Sequence, residues 1–137
     1  MGGTATTAPV AERPISILIV DDSAMMRTMI KRVVSMCDLP IGELFEAGNG
    51  AEALRVLETN AVQALFTDIN MPVMNGTELL REIARRDDWR ELVRVIISTD
   101  ASAARRAEVD GLGVRCYIEK PFSPEVMRDV LVDLAVR

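Results

Sequence analysis

Short, nearly unbroken apolar runs alternate along this chain with segments of helical period. Ile15–Val20 is the clearest run, and Ala64–Thr67, Val93–Ile97 and Cys116–Glu119 repeat its pattern, with Leu44–Ala47 as a shorter example. Runs of this length without strict alternation are what strands buried on both faces look like. Such strands need helices above and below them, and the intervening segments can supply these. Ser23–Cys37 places Met26, Met29, Ile30, Val33 and Cys37 at three- and four-residue spacing on one face. Ala51–Asn60 turns Leu54 and Leu57 inward, and Thr77–Arg86 does the same with Leu79, Leu80 and Ile83. Ala103–Val109 is a weakly apolar helix that stops near Gly111 and Gly113. The last helix starts at Ser123-Pro124, an N-cap followed by proline at the first helical position. Its stripe is Val126, Val130 and Leu134, with Met127 and Leu131. Asp38-Leu39-Pro40 and Gly48-Asn49-Gly50 punctuate the first half. Five strand–helix units with right-handed crossovers imply an α/β three-layer sandwich around a five-stranded parallel sheet.

The 137 residues correspond to one domain. Residues 14–137 are read as that domain. Met1 to Arg13, rich in Gly, Ala and Thr and without an apolar signal core, is read as a flexible leader. No apolar run approaches the roughly 20 residues that span a bilayer. The net charge of −5 argues against nucleic acid as a partner. The chain has no histidine, which excludes histidine acid–base chemistry and an internal phosphohistidine step. Cys37 and Cys116 stand in no metal-ligand spacing and read as free thiols of a reducing, cytoplasmic compartment. The eight methionines, at helical spacing, read mostly as core filler.

Four of the apolar runs end in chemically useful residues. The first runs into Asp21-Asp22, the third into Asp68, the fourth into Ser98-Thr99 and the fifth into Lys120-Pro121. Strand carboxyl ends share one edge of a parallel sheet, and ligands bind along that edge. The distant segments therefore describe one site. Three carboxylates at about 4 Å repel one another by roughly 4 kcal/mol per pair at an effective dielectric near 20, so the cluster either holds a proton or binds a cation. All-oxygen ligands with open positions suit Mg²⁺. Taken alone, Asp21-Asp22 is equally well explained as anions favoured at a helix start. Asp68 can act as a carboxylate nucleophile forming an acyl phosphate. Ser98 can donate to a phosphoryl oxygen, and Lys120 can neutralise one. Of the 16 basic residues only Lys31 and Lys120 are lysine, so a compact point charge stands where a planar fork is the norm. Pro121 behind it marks a cis bond or a fixed turn.

With these residues in view, the segments Ile17–Arg27, Leu65–Gly76, Val95–Thr99 and Cys116–Phe122 resemble the receiver domain of two-component response regulators, in the single-domain CheY-like form. The resemblance runs from about Ile15 to Val136. It implies a flavodoxin-like strand order of 2-1-3-4-5, for which CheY is a standard example. It implies Asp68 as phosphoacceptor, Asp22 as a direct Mg²⁺ ligand with Asp21 direct or through water, Asp68 itself as a ligand, and the backbone carbonyl of Asn70 as another. It implies Lys120 and Ser98 as phosphoryl partners, and Tyr117 as the aromatic that follows Ser98 in switching. It also implies readout on the surface of the fourth helix, fifth strand and fifth helix. The implied partners are a histidine kinase, a downstream protein such as a flagellar motor switch, and a phosphatase, with the chain catalysing only its own phosphoryl chemistry. A monomer is the default reading, with weak dimerisation through the fourth helix, fifth strand and fifth helix as the alternative.

Three positions depart from the resemblance. Thr99 stands where Ala or Gly is usual, and its bulk is expected to slow access to Asp68. Asp100 follows it, and Asn75 replaces a common aspartate. Arg105-Arg106 reads as a solvated charged face, with docking of an acidic partner the alternative. The competing functional classes are a phosphorelay intermediate or regulator of another signalling protein, a binding-only pseudo-receiver, an aspartate-based phosphatase, and a flavin carrier. The phosphatase needs a cap that the length does not provide. The flavin carrier would meet a phosphate-repelling Asp21-Asp22.

Overall fold

The computed structural model describes residues 14–135. The leader expected at residues 1–13 and the two C-terminal residues lie outside the described residues. The elements alternate as β1 (Ile15–Val20), α1 (Ala24–Ser35), β2 (Ile41–Ala47), α2 (Gly50–Thr59), β3 (Ala64–Thr67), α3 (Gly76–Ala84), β4 (Val93–Ser98), α4 (Ala103–Glu108), β5 (Val114–Glu119) and α5 (Pro124–Ala135). A 3₁₀ turn, Asp87–Trp89, precedes β4. All strand pairs are parallel and the sheet order is β2-β1-β3-β4-β5, as the resemblance implies.

Alternation along the strands splits the core in two. Ile15, Ile17 and Ile19 of β1 point to one face with Phe66, Val95 and Ile97, under Ile30 and Val34 of α1 and Met127 and Leu131 of α5. Leu18, Val20, Leu65 and Ile96 point to the other face, under Ala53 and Leu57 of α2 and Leu79, Leu80 and Ile83 of α3. Both cysteines are free; Cys37 is buried and Cys116 partly so.

Several helix faces differ from the expectation. In α1, Val34 is fully buried and Met29 is 49% exposed, because the packed stripe runs Ile30, Val34, Cys37. In α5 it runs Met127, Leu131, Leu134, which leaves Val126 exposed. Core packing accounts for four of the seven methionines among the described residues. Met25, Met29 and Met36 are exposed, Met26, Met71 and Met74 pack at the core margin, and Met127 is fully buried. Strand β2 starts three residues earlier than the apolar run, since its first half is an edge segment around Gly42. A Cβ there would lie 2.6 Å from Ser16 Oγ, and that hydroxyl accepts from the Glu43 amide at 3.1 Å. β4 carries a buried Arg94, which the apolar reading of that strand did not explain. Its guanidinium donates to the carbonyls of Trp89 at 2.8 Å and Leu112 at 3.1 Å. Gly111 and Gly113, both at positive φ, form the turn that returns the chain to β5.

Candidate functional site

Register assembles the site. Val20 is paired with Thr67, so Asp21 and Asp68 leave neighbouring strands side by side. Ser98 is paired with Glu119, so Lys120 emerges next to the end of β4. The Lys120 amide also donates to the Ser98 carbonyl at 2.9 Å. Short backbone ties hold the two acidic residues at the strand ends. Asp21 donates to Ala47 O at 3.1 Å and Asp68 to Val20 O at 2.9 Å.

The side chains converge as well. Lys120 Nζ donates to Asp21 Oδ2 at 2.9 Å and to Asp68 Oδ2 at 3.2 Å. All three side chains are largely shielded, at 9%, 4% and 13% exposure for Lys120, Asp21 and Asp68. Burial alone would push the Lys120 ammonium down. The hydrogen bond to Asp21 and the charges of Asp68 and Asp21 outweigh it, and Lys120 is held above its ordinary value. The remaining Asp68 oxygen accepts from the Ile69 amide at 2.6 Å, and Asp21 Oδ1 accepts from Ser23 at 2.9 Å. Asp22 is exposed at the rim. One carboxylate oxygen from each of Asp21, Asp22 and Asp68 lies within 4.8 Å of the other two. Hard oxygen donors converging at a partly open rim fit a hard divalent cation such as Mg²⁺.

The other expected residues surround this group without all touching it. Ser98 is fully buried at the end of β4, and its hydroxyl accepts from the Asp100 amide at 3.1 Å rather than bonding a carboxylate. Tyr117 is half-buried and its hydroxyl donates to the Asp100 carbonyl. Burial and the Asp100 charge raise its phenol above the usual range. Asn70 is exposed on the loop after β3, and Thr99 is exposed at the end of β4. The Lys120–Pro121 bond is cis. A cavity of about 500 Å³ lies at the opposite edge of the sheet, beside Ile15, Ala64 and Val93.

The sequence reading missed two supporting residues. Gly76 opens α3, and a Cβ there would lie 2.1 Å from the Asp68 carbonyl; only glycine lets α3 start against the end of β3. Its signal was its place directly after Asn75, whose side chain and that of Glu78 form a capping box on α3. Arg27 donates to the Asp21 carbonyl at 2.5 Å and to Glu46 at 2.9 Å, a pairing no local pattern discloses. Arg105 and Arg106 are not simply a solvated face. Arg105 pairs with Asp100 at 3.0 Å, and Arg106 stacks 4.5 Å over the Tyr117 ring.

The family model for the response regulator receiver domain matches residues 17–132. The chain is 36% identical over 118 residues to chemotaxis protein CheY1 of Helicobacter pylori, covering 85% of this chain and 94% of that protein. It is 35% identical to a CheY homologue of Campylobacter jejuni, over 88% of this chain and 92% of the relative. Among solved structures, chemotaxis response regulator CheY4 of Vibrio cholerae superposes with a TM-score of 0.79 at 25% identity, covering 89% of this chain and 99% of that one. A response regulator from Chloroflexus aurantiacus, at 23% identity and a TM-score of 0.81, shares the fold. Motifs, topology and relatives agree: this chain belongs to the response regulator receiver domain family.

Proposed function

We propose that the chain is a phosphorylation-controlled signalling switch whose phosphoacceptor is Asp68. One observation carries the reading: Lys120 bonds both Asp21 and Asp68 at the rim where three carboxylates converge. A carboxylate oxygen of Asp68 attacks the phosphorus of a phosphohistidine on a histidine kinase. The new O–P bond forms as the N–P bond breaks, and the electron pair stays on the departing imidazole nitrogen. Asp21, Asp22, Asp68 and the Asn70 carbonyl would hold Mg²⁺. When bound, that ion supplies positive charge to the transferring phosphoryl oxygens. Lys120 keeps its proton and pairs with the phosphoryl group, leaving fewer of its bonds to Asp21.

Ser98 then turns its hydroxyl toward the added group and Tyr117 follows. The surface of α4, β5 and α5 changes as a consequence. The protein catalyses only its own phosphorylation and dephosphorylation. The CheY relatives favour chemotaxis output at a flagellar motor switch, with a phosphatase resetting the signal. The chain is expected to act in the cytoplasm as a monomer; among the described residues no helix is long and apolar enough to cross a membrane. Transfer of labelled phosphate from a phosphorylated kinase domain tests the reading. Label is expected on the wild type and not on Asp68→Asn, followed by phosphate-dependent retention on a motor switch protein. Label that stays on the kinase, or moves equally to both proteins, would contradict it.

A further inference from the structure

Asp100 connects three parts of the site. Its amide donates to Ser98 Oγ at 3.1 Å, its carbonyl accepts from the Tyr117 hydroxyl, and its carboxylate accepts from Arg105 Nε at 3.0 Å. The same guanidinium donates to Glu108 at 3.1 Å and reaches Asn70 Oδ1, 35 residues away, at 3.5 Å. Asn70 and Asp100 stand on the two loops that follow β3 and β4, and these flank Asp68. One planar fork thus ties both loops together across the mouth of the site, which a lysine ammonium on a flexible stem does less well.

We propose that Arg105 is a positioning residue, a latch that holds the loop after β4 at rest and opposes movement of Ser98 toward a phosphoryl group on Asp68. The proposal rests on the phosphoacceptor reading of Asp68. For Ser98 to turn its hydroxyl to that group, it must give up the Asp100 amide or draw Asp100 along. Drawing Asp100 along pulls its carboxylate off Arg105, which Glu108 holds in place on α4. These bridges are half-exposed, so each shifts an equilibrium by only about threefold. They act on the moving loop itself, and so bias the switch directly.

The test is calorimetric titration of the full chain with beryllium fluoride, a phosphoryl mimic, in Mg²⁺. Arg105→Gln is expected to bind about threefold tighter than wild type, the size of one exposed bridge, with stability lowered by no more than that same factor. A residue of merely structural importance would lower the midpoint and weaken binding. Arg115→Gln removes the same charge from a bridge to Asp133 and is expected to match wild type. Equal gains in both variants would assign the effect to net charge and overturn the latch. Unchanged or weaker binding by Arg105→Gln would also overturn it. If the stability of that variant falls further than one bridge explains, Arg105→Lys, which keeps the charge and loses the fork, decides by the same criterion. A wild type that binds Mg²⁺ but not beryllium fluoride would instead defeat the phosphoacceptor reading, and the latch with it.

Discussion

A single ammonium, Lys120, bonds two of the three carboxylates that would otherwise repel one another. Removing one partner of a shielded ion pair leaves uncompensated charge. Lys120→Met is therefore expected to lower unfolding free energy at neutral pH by about 3 kcal/mol, with Mg²⁺ restoring much of the loss. Urea unfolding with and without Mg²⁺ checks this; a loss that Mg²⁺ leaves untouched would count against a shared site. Because the folded-state pKa of Lys120 is raised, its contribution is full below the ordinary lysine value and fades only as pH rises through the raised one. The gap between wild type and Lys120→Met should therefore close above about pH 10.4 and not before. Gly76→Ala is expected to cost about 2 kcal/mol through overpacking, and to slow phosphorylation by displacing the Asp68 carbonyl. Unchanged stability and rate would show that α3 can shift freely. The residues directly past a strand, Asp21, Asp68 and Lys120, were legible in the sequence because parallel register leaves them no other place to go. Gly76 and Arg27 were not, since their contacts depend on how a loop returns and how a helix is rotated.

At the scale of elements, strand positions were more legible than helix faces. Continuous apolar runs mark β1 and β3 to the residue, whereas β2 was read short because an edge strand with one sparse face has little apolar signal. In α1 the three-four spacing fits more than one stripe. The sheet selects the one containing Val34 and leaves Met29 outside. A pair of bridges then fixes α1 against β2: Glu46 accepts from Arg27 at 2.9 Å and from Lys31 at 2.6 Å. The hydrogen bonds from Lys31 and Arg27 hold the Glu46 carboxyl below its ordinary value. Its contribution is accordingly present above the unfolded value near 4.5 and is lost as pH falls through the lower folded one. Glu46→Gln is expected to cost no more than about 1 kcal/mol near neutrality, given partial exposure, and nothing once both forms are protonated. Denaturant midpoints of the two proteins across the acid range check the sign; a gap that widens on acidification would refute it.

Across the whole molecule, two apolar layers sandwich a sheet whose far edge holds the carboxylates, and the methionines report which parts face outward. Met25, Met29 and Met36 should be oxidised by dilute peroxide in the folded protein, with stability changing by no more than about 0.5 kcal/mol, while Met127 should resist until unfolding. Peptide mapping after a short exposure distinguishes the two classes, and early oxidation of Met127 would contradict the packing of α5. The overall architecture was legible because five strand–helix units leave few topologies open. The coupling of Arg105 to Asn70 was not, since it joins α4 to a loop 35 residues earlier that only the finished sheet brings near. The most direct measurement is intact mass after incubation with acetyl phosphate and Mg²⁺, beside Asp68→Asn and an EDTA control. A gain of one phosphoryl group that requires both Asp68 and Mg²⁺ is the expected result. No gain in a folded protein that binds Mg²⁺, or a gain that survives Asp68→Asn, would contradict Asp68 as the phosphoacceptor.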